Sequence, residues 1–374
     1  MRINDFKLEC YFAQHEFSAP YLLAQSDCES LSVGELLALE PGSEAGLLAQ
    51  RLGYTETWGD PELRDLVAAL YQGFNREHVL ILHGAQEGIF AFMNVMLGEG
   101  DHMVAMFPNY QSAYEVANCV PGCECSRWEL RDAGDRWELD FDKLAALVRP
   151  NTRLIAITSP NNPTGYTFTN AQIEQLCDFC RERDLVLFAD EVYRGTELDS
   201  EPRVSFGERY EKAVVLGVLS KSYGLPGLRV GWLTSRCTEL LDQVARYKHY
   251  LSICDAAPSE YLAKVALRHG PQLLARNTQL IRANKELARQ LFERHPSLLE
   301  FKDTPAGPVA FHKVNAGMPI DAFCKLAVEK AGVLLLPASV YDVEGPYVRM
   351  GYGRANVPES LARFEEFLTS EHLG

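Results

Sequence analysis

Residues 213–234 read AVVLGVLSKSYGLPGLRVGWLT, an apolar run that leads into a lysine. The first part, residues 213–219, has the length and the valine and leucine content of a buried strand. Although a lone lysine is usually a solvated surface charge, burial at the end of a strand lowers the pKa of an amine and leaves it neutral. The stretch therefore indicates that Lys221 is a nucleophile able to attack an aldehyde.

Further short apolar runs of strand length lie on both sides of this stretch, at 78–82, 102–107, 153–158, 185–189 and 230–234. Helical periodicity is present in three segments that lie between or before these runs, at 61–71, 141–148 and 171–183. Alternation of helices with short apolar strands favours a mainly parallel sheet covered by helices.

The pattern changes after about residue 250. Long helical patterns at 260–269, 273–294, 320–331 and 358–368 enclose strand-like runs at 308–314, 333–337 and 347–351. We therefore predict an α/β fold in which a large domain, residues 46–250, has a mainly parallel sheet sandwiched by helices. A smaller α+β domain follows at residues 251–374, and an N-terminal segment, residues 1–45, packs on it.

The composition is that of a globular protein, because the 374 residues are 47% hydrophobic and 23% charged. Asp and Glu number 51 against 36 Lys and Arg, which gives a net charge of -15. That charge would repel nucleic acid and an anionic membrane surface, so neither is expected as a partner. The sequence contains no apolar run of about 18 residues, and residues 1–6 lack the basic-then-apolar order of a signal peptide. We expect a cytoplasmic protein.

Ten cysteines are present, and in the cytoplasm we expect them to be reduced. Cys177 and Cys180 share one face of a predicted helix and are expected to be buried together. Cys119, Cys123 and Cys125 form a second group. Because no second pair of ligands has metal-site spacing, we predict no metal site.

Most candidate strands end in a polar or glycine-containing stretch, at 83–88, 108–110, 159–165, 189–193 and 220–229. Ligands bind at the carboxyl ends of parallel strands, so these stretches indicate one shared site. In the first of them, Gly84, Ala85 and Gln86 open a helix, whose backbone N–H groups and positive dipole end suit a phosphate.

The stretches SPNNPTG at 159–165 and SKSYGLPGLR at 220–229 resemble those of the class I/II aminotransferases, which are fold type I pyridoxal-phosphate enzymes. The resemblance extends from about Tyr54 to Arg349. It implies pyridoxal 5'-phosphate as cofactor, an amino acid and a keto acid as substrates, and a homodimer.

The resemblance also implies roles for individual residues around the cofactor ring. Lys221 would hold the cofactor as a Schiff base, and Asp190 would keep the ring nitrogen protonated. Asn162 and Tyr193 would donate hydrogen bonds to the phenolic oxygen of the ring, and Tyr110 would stack on its face.

The phosphate group would be bound by Gly84, Ala85, Gln86, Ser220 and Arg229, together with Tyr54 of the neighbouring subunit. Arg349 would clamp the α-carboxylate of the substrate, next to Asn162. Alternation of Arg349 with Val348 and Met350 is compatible with either a site wall or an exposed strand face.

The sequence departs from the family pattern at two places. Val218 stands where a serine or threonine is usual, which removes one phosphate-binding hydroxyl. Residues 25–30, QSDCES, replace a glycine-rich stretch and resemble the capreomycidine-synthase-like branch, whose members cyclise guanidino amino acids. Asp27 or Glu29, if either faces the pocket, would bind a guanidinium substrate side chain; a solvated acidic turn is the alternative.

We therefore expect reversible transamination between an α-amino acid and a 2-keto acid, with ping-pong kinetics. Elimination and ring closure on a guanidino amino acid, with the same cofactor, is the nearest alternative. A catalytically silent binding or regulatory module of the same fold is another. A nucleotide-binding protein is disfavoured, because GVLSKS at 217–222 lacks the spacing of a phosphate loop.

Overall fold

The computed structural model describes residues 3–199 and 201–371. Two predictions fall partly outside the described residues. They concern the absence of a signal peptide, which includes Met1 and Arg2, and the C-terminal domain, which includes the last residues of the chain. The strands are β1 (Tyr21–Leu22), β2 (Val79–Leu82), β3 (His102–Phe107), β4 (Glu124–Asp132), β5 (Trp137–Leu139), β6 (Thr152–Thr158), β7 (Val186–Asp190), β8 (Ala213–Val218), β9 (Gly231–Thr234), β10 (Leu299–Glu300), β11 (Val309–Val314), β12 (Val333–Leu334), β13 (Leu336–Pro337) and β14 (Tyr347–Gly351).

The α-helices occupy much of the remaining chain. They are α1 (Lys7–His15), α2 (Val33–Leu37), α3 (Ser43–Leu48), α4 (Pro61–Ala68), α5 (Ala85–Met96), α6 (Ser112–Cys119), α7 (Phe141–Leu147), α8 (Asn170–Glu182), α9 (Phe206–Arg209), α10 (Thr238–Lys248), α11 (Ala257–Arg268), α12 (Gly270–Arg294), α13 (Ile320–Ala331) and α14 (Val357–Ser370). Short 3₁₀ helices lie at Arg76–His78, Pro226–Leu228 and Ala338–Tyr341.

The large sheet has the strand order β2-β9-β8-β7-β6-β3-β4-β5. Its central pairs, from β8 to β4, are parallel, whereas β9 is antiparallel to both of its neighbours and β5 is antiparallel to β4. The prediction of a mainly parallel sheet is confirmed. Strands β4 and β5 were not predicted, because β4 buries Trp128 and Leu130 but exposes the charged residues between and around them.

The central strands are buried on both faces, which is why they read as continuous apolar runs. In β2, Val79 and Ile81 belong to one hydrophobic core, and Leu80 and Leu82 belong to another on the opposite face. Helix α8 contributes to the first core and helix α5 to the second. The predicted sandwich of a sheet between helices is therefore confirmed.

A smaller antiparallel sheet with the order β10-β11-β14-β13 forms in the C-terminal part of the chain. The N-terminal segment reaches this part, because β1 pairs in parallel with β12 through Tyr21 and Val333. The domain limits near residues 45 and 250 stay a prediction.

After β1 the chain continues along β14 with unusually close backbone contact. The N–H of Gly351 donates to the carbonyl of Leu23 at 2.6 Å. A Cβ atom at Gly351 would lie 1.7 Å from the carbonyl oxygen of Gln25, which no side chain can tolerate without movement of the backbone. Glycine at this position is thus what allows the N-terminal segment to lie against β14.

We predict that Gly351→Ala lowers the free energy of unfolding by about 1–3 kcal/mol, the usual cost of forcing an extra carbon into a packed interior. Chemical denaturation measures the change. Gly34→Ala is the matched control, because no atom lies within 4 Å of a Cβ placed there and alanine is the better helix former. Equal stability of the two variants would contradict the prediction.

Candidate active site

A cavity of about 430 Å³ opens at the carboxyl ends of β7 and β8. It brings together residues from stretches that are far apart in sequence. The predicted residues in its lining are Ala85, Gln86, Tyr110, Asn162, Asp190, Tyr193, Ser220, Lys221 and Arg229. The polar ends of several strands therefore meet in one space, as expected for a parallel sheet.

Lys221 lies in the loop that follows β8, and its amine points into this cavity region. Lys221 Nζ donates a hydrogen bond to Ser26 Oγ at 2.9 Å. Burial lowers the pKa of the Lys221 amine, and the nearby carboxylate of Asp27 opposes that shift. Because a lower pKa increases the fraction of neutral amine, the environment favours a nucleophile and a base.

Asp190 is the last residue of β7 and is buried. Its Oδ1 atom accepts a hydrogen bond from the N–H of Val192 at 3.1 Å. Burial raises the pKa of Asp190 to about 7. A carboxylate desolvated in this way is strongly stabilised by a cationic partner such as a protonated ring nitrogen.

Asn162 belongs to a buried hydrogen-bond network that links the large sheet to β14. Asn162 Oδ1 accepts from the Tyr341 hydroxyl at 2.8 Å and from Arg349 Nη1 at 3.0 Å. Arg349 Nη1 also donates to the Tyr341 hydroxyl at 2.6 Å, and Arg349 is fully buried. Both bonds use the amide oxygen of Asn162, so its amide nitrogen is the end left to donate toward the cavity.

The burial of Arg349 excludes an exposed strand face. Arg349 is not itself in the described lining of the cavity, but it contacts Asn162, which is. Its role in binding substrate stays a prediction. Its Nη2 atom donates to the carbonyl of Ala24. Among the residues that the structure describes, Arg349 Nε is buried without a hydrogen-bond partner. A buried donor of this kind is costly unless an acceptor is bound.

Another part of the cavity lining has the features of an anion cradle. Gly84 precedes α5 with a φ of 83°, and a Cβ atom there would lie 2.3 Å from Arg229 Nη2. Glycine thus lets the guanidinium lie directly over the N-terminus of the helix. Within the described residues, Ser220 Oγ is buried and has no hydrogen-bond partner. A helix N-terminus, an arginine and a free hydroxyl together suit a phosphate.

Helix α1 supplies a wall of the cavity that the sequence did not reveal. Glu9 and Phe6 both line the cavity. Tyr110 donates its hydroxyl hydrogen bond to Glu9 Oε1 at 2.8 Å, and its ring lies 4.8 Å from the ring of Phe6. The weak periodicity of the first residues gave no signal for either contact.

Asp27, Glu29 and Tyr54 are absent from the described lining of the cavity. Asp27 Oδ2 accepts from Arg354 Nη2 at 2.7 Å, and Glu29 Oε2 accepts from the N–H of Ala355 at 2.7 Å. Tyr54 is 91% exposed. The first two carboxylates are therefore engaged by neighbouring protein groups, and their role in substrate binding stays a prediction.

Across residues 3–199 and 201–371, no group of three or more His, Cys, Asp or Glu side chains is arranged to hold a metal ion. The cysteines are free thiols, and Cys177 and Cys180 are buried on α8 as predicted. Burial raises the pKa of Cys177 to about 12, so this thiol stays protonated and unreactive. In the same ranges no helix has the length and apolar character needed to span a membrane.

A phosphate cradle, a buried carboxylate and a buried amine on one cavity are what pyridoxal 5'-phosphate requires, so the site is that of a pyridoxal-phosphate enzyme. Comparison with known proteins identifies the group to which it belongs. The profile of the family described as aminotransferase class I and II matches residues 26–364, and the chain belongs to this family.

The chain is similar over its whole length to proteins with different named reactions. Capreomycidine synthase from Streptomyces vinaceus is 26% identical over 371 residues, which cover 98% of this chain and 94% of that protein. A crystal structure of a pyridoxal-phosphate-dependent aminotransferase from Streptococcus suis has a TM-score of 0.93 at 29% identity and covers 99% of both chains. The cyclase OrfR, also pyridoxal-phosphate-dependent, has a TM-score of 0.90 at 25% identity and covers 99% of this chain and 98% of its own.

We predict that Arg229→Gln raises the dissociation constant of pyridoxal 5'-phosphate about 10- to 100-fold, because charge-assisted hydrogen bonds to the phosphate are lost. Titration of the cofactor-free protein, followed by the visible spectrum, measures the constant. Arg236→Gln removes an exposed arginine just after β9 and serves as control. An unchanged constant in Arg229→Gln would place the phosphate elsewhere.

Proposed function

We propose that this enzyme catalyses reversible transamination between an α-amino acid and a 2-keto acid, with Lys221 as the residue that attaches the cofactor and moves the proton. The observation that carries the proposal is the desolvated amine of Lys221 on the same cavity as the buried carboxylate of Asp190. The likeness to the Streptococcus suis aminotransferase supports it.

In this proposal the cofactor, when bound, supplies an electron sink for the carbanion formed at the α-carbon of the substrate. Asp190 would face the ring nitrogen, and Asn162 and Tyr193 would donate to the phenolic oxygen. Tyr110 would pack on the ring face. Buried donors and acceptors whose positions are fixed before binding reorganise little during the reaction, which is the main source of their effect.

The phosphate is proposed to bind at the N-terminus of α5, between Gly84, Ala85 and Gln86 on one side and Ser220 and Arg229 on the other. The free hydroxyl of Ser220 and the guanidinium held over Gly84 support this assignment. Both would be satisfied by the same phosphate group, so the cradle also fixes the position of the ring relative to Lys221.

Lys221 Nζ is proposed to accept the α proton of the bound amino acid and to release it again in the same cycle. A neutral amine can do so, and burial favours the neutral form. Arg349 is proposed to bind the α-carboxylate, since its buried Nε lacks an acceptor among the described residues. A carboxylate held there would fix the orientation of the α-carbon.

We also propose that the active unit is a homodimer in which Tyr54 reaches the phosphate of the neighbouring subunit. Large apolar side chains are exposed near it in sequence, with Leu48 at 81% and Leu52 at 87% exposure, and Tyr250 is 91% exposed. Exposed apolar side chains of this size favour an interface with another copy of the chain. The free cysteines are compatible with the cytoplasm as its location.

A second candidate is elimination and ring closure on a guanidino amino acid. The full-length likeness to capreomycidine synthase and to the cyclase OrfR supports it. Both reactions begin by removal of the α proton, so Lys221 and Asp190 would serve either of them. They differ in products, because transamination consumes a keto acid and cyclisation does not.

The carboxylate of Glu9 favours a substrate with a cationic side chain, whichever of the two candidate reactions takes place. Glu9 adds a second carboxylate to the cavity lining, next to the Tyr110 hydroxyl. A substrate ammonium or guanidinium could bond to the second oxygen of Glu9 while the first keeps its contact with Tyr110. We therefore propose Glu9, more than Asp27 or Glu29, as the residue that selects a basic amino acid.

We predict that the enzyme converts a basic amino acid and a 2-keto acid into the matching keto acid and amino acid in equal amounts, with ping-pong kinetics. Mass spectrometry of reactions with arginine, hydroxyarginine and neutral amino acids identifies the products. Lys221→Ala is the control and should be inactive and should lose the cofactor adduct that borohydride traps. A cyclic amino acid formed without any keto acid would support the second candidate instead.

We predict that Glu9→Gln lowers kcat/KM for cationic amino acids about tenfold, the effect of losing one hydrogen bond to a charged group. For neutral amino acids, kcat/KM should fall less than about twofold. This corresponds to a smaller free-energy change than a surface ion pair usually contributes. Glu293→Gln, an exposed residue of α12, is the matched control. Equal losses for cationic and neutral substrates would show that Glu9 acts only through Tyr110.

A further inference from the structure

The segment of residues 25–30, which departs from the family pattern, lies between the Lys221 loop and the end of β14. Its backbone touches both. A Cβ atom at Gly224 would lie 2.6 Å from the carbonyl oxygen of Glu29, and one at Gly353 would lie 2.3 Å from that of Asp27. Glycines on two sides therefore allow the segment to be clamped between the loop and the strand.

Charged side chains fix the same segment at points on either side of the clamp. Asp27 accepts from Arg354 Nη2 at 2.7 Å and from Arg354 Nε at 3.2 Å, which is a bidentate pair. The carbonyl of Glu29 accepts from Arg276 Nη1 at 2.9 Å, and its N–H donates to the carbonyl of Gly353 at 2.7 Å. A segment held at so many points has little freedom to move.

Ser26 is the residue of this segment whose side chain reaches the reactive amine. It is 9% exposed, and its Oγ atom accepts from Lys221 Nζ at 2.9 Å. The side chain of Tyr193 lies beside it. The backbone also joins the two segments, because the N–H of Cys28 donates to the carbonyl of Lys221 at 3.4 Å.

We propose that Ser26 is a positioning residue for proton transfer by Lys221. A neutral amine has two N–H bonds and one lone pair, so donation of one N–H to Ser26 restricts the directions in which the lone pair can point. Because the segment is rigid, Ser26 keeps the same position and the direction of the lone pair stays restricted. The amine is thus aimed at the cavity, where the α-carbon is bound, and loses little entropy before the transfer.

The transfer itself is simple. The bond between the α-carbon and its hydrogen breaks, an N–H bond forms at Lys221 Nζ, and the electron pair stays with the bound substrate. The new ammonium needs acceptors in a space with little water, and Ser26 Oγ supplies one. The same hydroxyl therefore serves the amine before the transfer and the ammonium after it.

This inference rests on the proposed proton transfer by Lys221, but it does not depend on which overall reaction follows. Transamination and cyclisation both start by breaking the same C–H bond. It also assigns Asp27 and Glu29 to holding the segment, because each already has protein partners. Ser26 is then the member of QSDCES that acts on the chemistry.

The experiment compares Ser26→Ala and Ser26→Gly, which lack the hydroxyl, with Ser26→Thr, which keeps it. Ser30→Ala changes an exposed serine of the same segment and is the matched control. Single-turnover reactions with α-protiated and α-deuterated substrate measure the C–H step. We expect Ser26→Ala and Ser26→Gly to slow it about 10- to 100-fold with little change in KM and a larger isotope effect. Ser26→Thr should stay within about tenfold of the original rate, because it retains the hydroxyl.

A second readout uses the cofactor-free protein and needs no turnover. The pH dependence of chemical labelling at Lys221, followed by mass spectrometry, gives the pKa of its amine. Loss of the acceptor in Ser26→Ala should lower that pKa by about one unit, since the hydrogen bond stabilises the ammonium. Ser26→Thr and Ser30→Ala should leave it unchanged.

Two results would overturn the proposal. One is a C–H step and a Lys221 pKa that are both unchanged in Ser26→Ala. The other is equal slowing in Ser26→Ala and Ser26→Thr with an unchanged Lys221 pKa, which would mean that Ser26 only fills space. If no protein in the series acts on any amino acid, the proposed function fails, while the labelling experiment still decides whether Ser26 holds the amine.

Discussion

The site depends on one constraint, which is that an amine and a carboxylate are kept out of water at the ends of neighbouring parallel strands. Strands β7 and β8 pair with Asp190 opposite Leu216, and Lys221 follows a few residues later. Burial shifts the two pKa values in opposite directions, down for the amine and up for the carboxyl. Each group is thereby moved toward its neutral form. The neutral amine can act as a base, whereas the carboxyl group would be held ionised by a cationic partner such as a protonated ring nitrogen.

The sheet alone does not complete this environment. The N-terminal helix α1 brings Glu9 to the cavity, and β14 brings Arg349 into contact with Asn162, a lining residue. The buried network of Asn162, Tyr341 and Arg349 joins the large sheet to the smaller one through distances of 2.6 to 3.0 Å. Such a network is satisfied only when its members are all in place, so the position of the smaller sheet and the orientation of the Asn162 amide are determined together.

Much of the large sheet could be predicted from the sequence, because strands buried on both faces leave continuous apolar runs followed by polar stretches. Strand β4, next to the edge strand β5, could not, since its outward residues are charged. The polar residues at the strand ends could also be predicted, because each polar stretch directly follows an apolar run. Glu9, Ser26 and Tyr341 could not, because they come from segments that have no periodic signal and lie far away in the chain. Glu9 lines the cavity, and Ser26 and Tyr341 contact the lining residues Lys221 and Asn162. Asp27 and Glu29 show the converse case. Their sequence positions made them candidates for the pocket, but an acidic side chain can instead be paired with a protein neighbour, as Asp27 is with Arg354.

The contribution of α1 has a consequence for how proteins of this kind diverge. The side chains that Glu9 and Phe6 present to the cavity come from helix α1 and the residue just before it, outside the sheet that creates the reactive centre. Mutations there can alter which molecules are accepted without disturbing the assembly of the interior or the chemistry itself. Selection can therefore explore new specificities through this helix while the inherited catalytic apparatus is left intact.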